Sequence, residues 1–428
     1  MDQPQKKAVT MKRLLLAFAL LMPVCLHLAA QHTCQSYEYL QEALRRDRGL
    51  AERMAQIEAF SKRDQFRDDL ATAGMETISS EEQIIRIPVV VHILYNAPEQ
   101  NISDELVHWQ IAALNRDFRR LNPDTVRTPA VFRDIAADCR IEFVLANVDP
   151  QGYATTGIVR RKTGIQFFSV DDRIKSTARG GDDPWDPDSY LNIWVGSLAG
   201  ALMGYASPVG GPKETDGVVV SYRAFGNKSQ SNNTGRIAVH EIGHWLGLRH
   251  IWGDRYCGDD YVDDTPPQQN STFGCPTVAA ITCNNAPTGN MYMNFMDLTA
   301  ETCMNLFTKG QAAKMRSLFQ PGGWRYSLLQ SKGAAGNGMP APVESPAIQE
   351  AVALHCYPNP VLSQLTIEIT DRRLLGSILT IHNRLGQPIF QTKVTKELMQ
   401  VNMQGYKEGM YFIRVGEDKQ VYKVIKAL

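Results

Sequence analysis

The chain has 428 residues, more than one ordinary domain of about 150, and 43% of them are hydrophobic, enough for a sizeable core. Lys plus Arg and Asp plus Glu both number 45, so the net charge is zero and nothing steers the chain toward nucleic acid or an anionic membrane.

The N-terminus reads as an export signal. Lys6, Lys7, Lys12 and Arg13 precede an apolar run over 14–30, and the small pair Ala29-Ala30 predicts a cleaved signal peptide of residues 1–30. Pro23 and His27 break the run, which falls short of the ~20 clean apolar residues of a membrane span, and no other stretch could cross a bilayer. Residues 31–83 are polar, and apolar side chains recur at helical spacing from Tyr37 to Phe60, so a helical pro-segment is expected. Cys34 stands alone at its start.

A globular unit opens at 84–95, a β-branched stretch that predicts a buried strand, with His92 as a packing histidine inside it. A helix follows over 103–118 with Ser103 as N-cap. Strands are expected at 141–146, 190–195, 202–206 and 217–222, and Cys139 reads as a buried free thiol. Asn233 or Thr234 is the expected cap of the next helix.

That helix carries His240-Glu241-Ile242-Gly243-His244-Trp245-Leu246-Gly247-Leu248-Arg249-His250. On a helix His240 and His244 share one face, a spacing that grips a zinc ion, and Glu241 stands beside them free to act as general base. Gly247 can end the helix, so that His250 swings back as third ligand. Three histidines leave one position open, the catalytic pattern. The lone Cys34 is then a candidate zymogen switch, because a thiolate can occupy that open position; an incidental unpaired thiol is the plain alternative.

Downstream, Asp254, Asp259, Asp260, Asp263 and Asp264 crowd like charge; a solvated acidic loop is the plain reading, and a calcium ion held by carboxylates, the Thr265 hydroxyl and main-chain carbonyls is the favoured one. Cys257, Cys275, Cys283 and Cys303 suit two disulfides in an oxidising compartment; three pairings are open, and without a C-x-x-C pair a second zinc site is disfavoured. Met296, in Asn294-Phe295-Met296-Asp297, is a candidate hydrophobic floor for the metal site, and Thr308 predicts the cap of a closing helix to Leu318. Gly and Pro mark a linker over 329–350, and short alternating strands from 351 predict a small β-sandwich.

Two resemblances follow from these residues. Residues 87–318 resemble the pappalysin family of metzincins through the zinc signature, Gly235-Arg236, the Asp260 to Pro266 stretch, and Asn294 to Met315. The resemblance implies an α+β fold, a mixed twisted sheet with an active-site helix, over residues 84–328. It implies the pairs Cys257–Cys283 and Cys275–Cys303, Met296 as the Met-turn, and calcium near Asp260 and Thr265. Independently of the resemblance, the strand over 203–206 is expected to pair with extended substrate through main-chain contacts. Two departures stand out. Where the family has a Tyr two residues after the Met, this chain has Leu298. Where members that cut before Arg or Lys have an acid just ahead of the last Cys, it has Thr302, with Glu301 one residue further back as the candidate S1′ specificity residue. Residues 351–428 resemble the sorting domain of type IX secretion cargo through Tyr357-Pro358-Asn359-Pro360, Gly409-Met410-Tyr411, Lys423 and Lys426.

The expected protein is a secreted or cell-surface, monomeric zinc endopeptidase made as a latent zymogen, with protein or peptide substrates. It should meet secretion machinery through its last domain and bind no nucleic acid. The alternative is a non-catalytic surface binding protein on a degenerate metzincin scaffold.

Overall fold

The polar N-terminal segment folds as a two-residue strand, β1 (Thr33–Cys34), and two helices, α1 (Ser36–Arg46) and α2 (Leu50–Thr72). The computed structural model describes residues 33–72, 83–226, 234–334, 354–369, 374–384, 386–416 and 422–427. The expected signal peptide and most of the expected linker lie outside them. The chain forms two compact units, Met1–Gly336 and Asn337–Leu428.

The first unit is built around β2 (Ile85–Tyr95), in which only Arg86 and Tyr95 escape burial. So apolar a strand needs cover on both faces, as central parallel strands do. Along one edge β3 (Ile141–Leu145) pairs with its first half and β4 (Ile158–Lys162) with its second half, both parallel. On the other edge lies β5 (Leu191–Gly196), then β7 (Val218–Ser221), also parallel. Strand β6 (Leu202–Ala206) runs antiparallel to β7, and β1 pairs with β6 to complete the order β1-β6-β7-β5-β2-β3. Strand β4 has no sequence signal: three of its five residues are Arg or Lys, and it joins because β2 offers it a free half-edge.

One face of the sheet, with Val89, Val91, Ile193, Val195, Val218 and Val220, packs on α3 (Asp104–Phe118) and α4 (Arg236–Trp245). The other face buries Leu94, Trp194, Tyr205 and Val219 against Phe168 and Ile174. His92 is a packing residue here: its ring stacks on Trp194, Nδ1 lies 2.7 Å from Asp182 Oδ2, and Nε2 lies 3.0 Å from Asn192 Oδ1. Helix α5 (Lys309–Ser317) is capped by Thr308, whose hydroxyl accepts from Gln311 N. The first unit extends past 328, because Gly333 O accepts from Asn147 N and Val148 N at 2.9 and 3.2 Å.

The second unit holds two sheets. One has β8 (Leu354–Tyr357), β9 (Gln364–Ile369) and β12 (Leu398–Asn402); the other has β10 (Ile378–His382), β11 (Pro388–Lys393), β13 (Gly409–Val415) and β14 (Tyr422–Lys426). Alternate residues such as Leu365, Ile367, Leu379, Ile381, Ile413 and Val424 are buried in one core, the expected sandwich. Among the described residues no helix is long and apolar enough to cross a membrane.

Candidate active site

Helix α4 carries the site, and its N-terminus corrects the sequence reading. The cap position is Gly235, with no side-chain cap of its own; Thr234 donates instead of accepting. Glu301 does the capping from far along the chain. Its Oε2 accepts from Arg236 N at 2.6 Å, Thr234 N at 3.0 Å and Thr234 Oγ1 at 3.2 Å. A carboxylate suits the positive end of a helix. Burial nevertheless pushes Glu301 up to about 7, partly offset by the Arg236 and Thr234 donors. The Arg236 guanidinium binds both oxygens of Asp124 and the main-chain oxygen of Glu301.

Along α4, His240 and His244 face the same way, and Gly247 at φ +85° turns the chain so that His250 returns toward them. Each ring is held at Nδ1: His240 on Phe295 O at 2.7 Å, His244 on Leu248 O at 2.9 Å, and His250 on Asp254 Oδ1. A carbonyl only accepts, so Nδ1 of His240 and His244 carries the proton and Nε2 presents its lone pair. The His244 Nε2 lies 3.1 Å from His240 Nε2 and 3.2 Å from His250 Nε2. Tetrahedral zinc with bonds of about 2.0–2.1 Å needs nitrogens roughly 3.3–3.4 Å apart. Lone pairs converging this closely require a cation between them, so the donor set fits zinc. Burial, then neighbouring His250, lowers His244 to about 3 and keeps it neutral, the form that binds metal. The Cys34 Sγ belongs to the same cluster, with all four ligand atoms within 4.8 Å of one another.

Met296 is fully buried beneath the helix, where its sulfur leaves room only for Gly243: a Cβ there would lie 2.5 Å from Sδ. Glu241 is buried too, and burial pushes it up to about 8, against the opposing hydrogen bonds from Ser36 and Cys34. Its Oε2 accepts from Ser36 Oγ at 2.8 Å and lies 3.6 Å from Cys34 Sγ, while Oε1 has no hydrogen-bond partner. Burial, then the Glu241 charge, raises the Cys34 thiol well above its ordinary range.

The pro-segment reaches this site along β6. Gln35 N donates to Gly204 O at 3.2 Å, and Ala206 N donates to Ser36 Oγ at 2.9 Å. Further contacts hold its helices on the unit: Tyr39 OH donates to Asp172 Oδ2 at 2.8 Å, Lys314 pairs with Glu58 at 2.9 Å, and Ser61 Oγ meets Ser317 Oγ at 2.7 Å.

Leu298 lines a small cavity beside His240, together with Met203, Ile237 and Met304; Glu301 is not among the residues of its wall. The acidic loop is divided among separate tasks. Asp254 holds His250, and Asp264 accepts from Thr308 Oγ1 and Gly310 N at the start of α5. Both Asp260 oxygens accept from Thr265 Oγ1 at 2.9 Å, and burial pushes this carboxyl up to about 7. Cys257 in the acidic loop bonds Cys283, and Cys275 bonds Cys303 in the segment after Met296; Cys34, Cys139 and Cys356 are free. Sequence reasoning missed Ser36 and the separate partners of Asp254 and Glu301, because each acts on a group that only folding brings near. For Asp254 a signal existed, a carboxylate four residues after the candidate ligand His250.

Residues 176–320 match the Peptidase M43 model described as pregnancy-associated plasma protein-A, and residues 355–427 match a secretion system C-terminal sorting domain. An extracellular metalloprotease of Verticillium alfalfae is 30% identical over 253 residues, 52% of this chain and 89% of that protein. One from Arthroderma otae is 29% identical over 265 residues, covering 60% and 86%. Among solved structures, mature mirolysin of Tannerella forsythia with a cleaved peptide has 45% identity and a TM-score of 0.56, covering 58% of this chain and 96% of its own. A promirolysin mutant of the same organism has 40% identity and a TM-score of 0.63, covering 70% and 97%. The larger share matched by the proenzyme accords with a pro-segment ahead of the catalytic unit. The chain therefore belongs to the pappalysins, the M43 metallopeptidases of pregnancy-associated plasma protein-A type, as a secreted or cell-surface zinc endopeptidase made as a zymogen with a C-terminal sorting domain.

Proposed function

We propose that His240, His244 and His250 hold the zinc through Nε2, that Glu241 is the general base, that Met296 is the floor of the site, and that Cys34 keeps the unprocessed chain latent. The observation that carries this reading is the convergence of three Nε2 lone pairs beside a buried glutamate, with a pro-segment sulfur in the same cluster. Bound zinc supplies a Lewis acid that polarises the scissile carbonyl and makes water more acidic. Glu241 takes the proton from the attacking water and delivers it to the leaving amine. With the pro-segment gone, the edge of β6 offers Gly204 O and Ala206 N to an extended substrate, a main-chain contact tolerant of sequence.

The test uses protein freed of residues 31–83. Casein digestion should stop with a chelator, return with zinc, and be absent in Glu241→Ala. Latency is read on the intact chain, where Cys34→Ala should raise basal peptide hydrolysis.

Two finer readings belong here. A preference for Arg or Lys after the scissile bond would act through Glu301; a Glu301→Ala enzyme that keeps this preference on a peptide library sinks it. A structural calcium at Asp260 and Thr265 draws support from the buried carboxylate there. It predicts a higher Tm with added calcium that Asp260→Asn abolishes. A pro-segment over 31–83, a catalytic unit from 84 to beyond 328, a sorting domain over 351–428 and a monomeric state complete the reading, to be checked by limited proteolysis and light scattering.

A further inference from the structure

We propose that Asp254 is a positioning residue for the zinc: it fixes the tautomer and orientation of His250 and, through its charge, slows release of the metal. The inference rests on the reading of His250 as a ligand.

The three histidines are supported unequally. His240 and His244 lean on neutral main-chain carbonyls, whereas His250 leans on a carboxylate. The difference follows from the chain path. His244 precedes the turn at Gly247, so Leu248 O lies one turn away. His250 follows that turn, and the chain doubles back again to serve it. Gly253 sits at φ +65° and its N donates to His250 O at 2.8 Å; Asp254 sits at φ +59°. Left-handed backbone is uncommon for a residue other than glycine, and here it brings the carboxylate to Nδ1. Trp252 stacks on the same imidazole with ring centroids 4.3 Å apart and 10° between planes, so the ring is held both in its plane and across its face. The His250 and Asp254 side chains are 4% and 12% exposed.

Asp254 is therefore distinct from the rest of the acidic loop. Asp260 is engaged by Thr265 and Asp264 by the start of α5, whereas Asp254 meets the candidate ligand. A carboxylate accepting from the far nitrogen of a ligand histidine makes the near nitrogen more basic and locks the ring, and losing such a partner typically costs about 10–100-fold in metal affinity.

The experiment uses the full chain carrying Glu241→Ala, so that it stays intact, loaded with zinc. Zinc release to a chromophoric chelator is timed for Asp254, Asp254→Asn and Asp254→Ala. Release should be on the order of 10–100-fold faster in Asp254→Ala, with Asp254→Asn in between because it keeps an acceptor and loses the charge. Unchanged release in both variants overturns the proposal. His250→Ala separates the two readings. If it keeps its zinc as tightly as the parent, the ligand reading itself fails; if it loses zinc while the Asp254 variants do not, only this inference fails. A measurement free of folding effects is made on the unsubstituted site: the His250 Nδ1 proton should resonate further downfield than those of His240 and His244. Equal shifts would refute a charged partner.

Discussion

The Ser36 hydroxyl donates to Glu241 Oε2 at 2.8 Å and accepts from Ala206 N at 2.9 Å, so one pro-segment side chain engages both the candidate base and the edge of β6. Cys34 Sγ lies in the cluster of the three candidate ligand histidines, whereas Ser36 engages the candidate base. A buried hydrogen bond contributes about 0.5–1.5 kcal/mol net, or up to roughly tenfold in an equilibrium. Ser36→Ala in the intact chain should therefore raise basal hydrolysis of a quenched fluorescent peptide on the order of tenfold before any processing, with chain integrity followed on gels. Combined with Cys34→Ala the effects should compound, since one acts on the base and the other on the metal. A Ser36→Ala zymogen as silent as the parent would show that the contact does not restrain the enzyme.

Glu241 should be separable from metal binding. It contributes no atom to the three-nitrogen cluster. Glu241→Ala should keep its zinc, read by atomic absorption, while kcat falls by about 10²–10⁴. Zinc lost in parallel with activity would contradict its assignment as a base alone.

Leu298 lines the cavity beside His240 and carries no hydroxyl, where the family resemblance implies a tyrosine. A missing donor to developing charge can cost roughly 10²–10³ in kcat. Leu298→Tyr should thus raise kcat on peptides with little change in KM. If kcat does not rise, another donor already serves that position.

Glu301 predicts a pH dependence of stability. Its folded pKa is raised from 4.5 to about 7, chiefly by burial, so between those values the folded chain keeps a proton that the unfolded chain has released. Its contribution is fully present below about pH 4.5 and is lost as pH rises through 7, a difference of up to about 3 kcal/mol. Glu301→Gln should flatten the slope of denaturation midpoint against pH between 4.5 and 7. An unchanged slope would assign that dependence to other groups.

Several features were determined by sequence alone because they are local. A helix of 3.6 residues per turn puts His240 and His244 on one face whatever surrounds it, and Gly247 supplies the turn that returns His250. The β-branched run of β2 and the two-residue alternation in β9 and β13 likewise declare buried strands and a sandwich. Tertiary structure decided what depends on distant pairs. Phe295 O, 55 residues from His240, holds its imidazole; Glu301, 65 residues from Arg236, caps the helix; Ser36, 205 residues from Glu241, reaches the candidate base. The cysteine pairs belong here too, because four cysteines at these spacings allow three pairings and only the path of the loop brings Cys257 to Cys283 and Cys275 to Cys303. Strand β4 is a strand only because β2 leaves half an edge open to it. Spacing within one element fixes which side chains face together, but a buried donor or acceptor takes whichever partner the folded chain brings within reach.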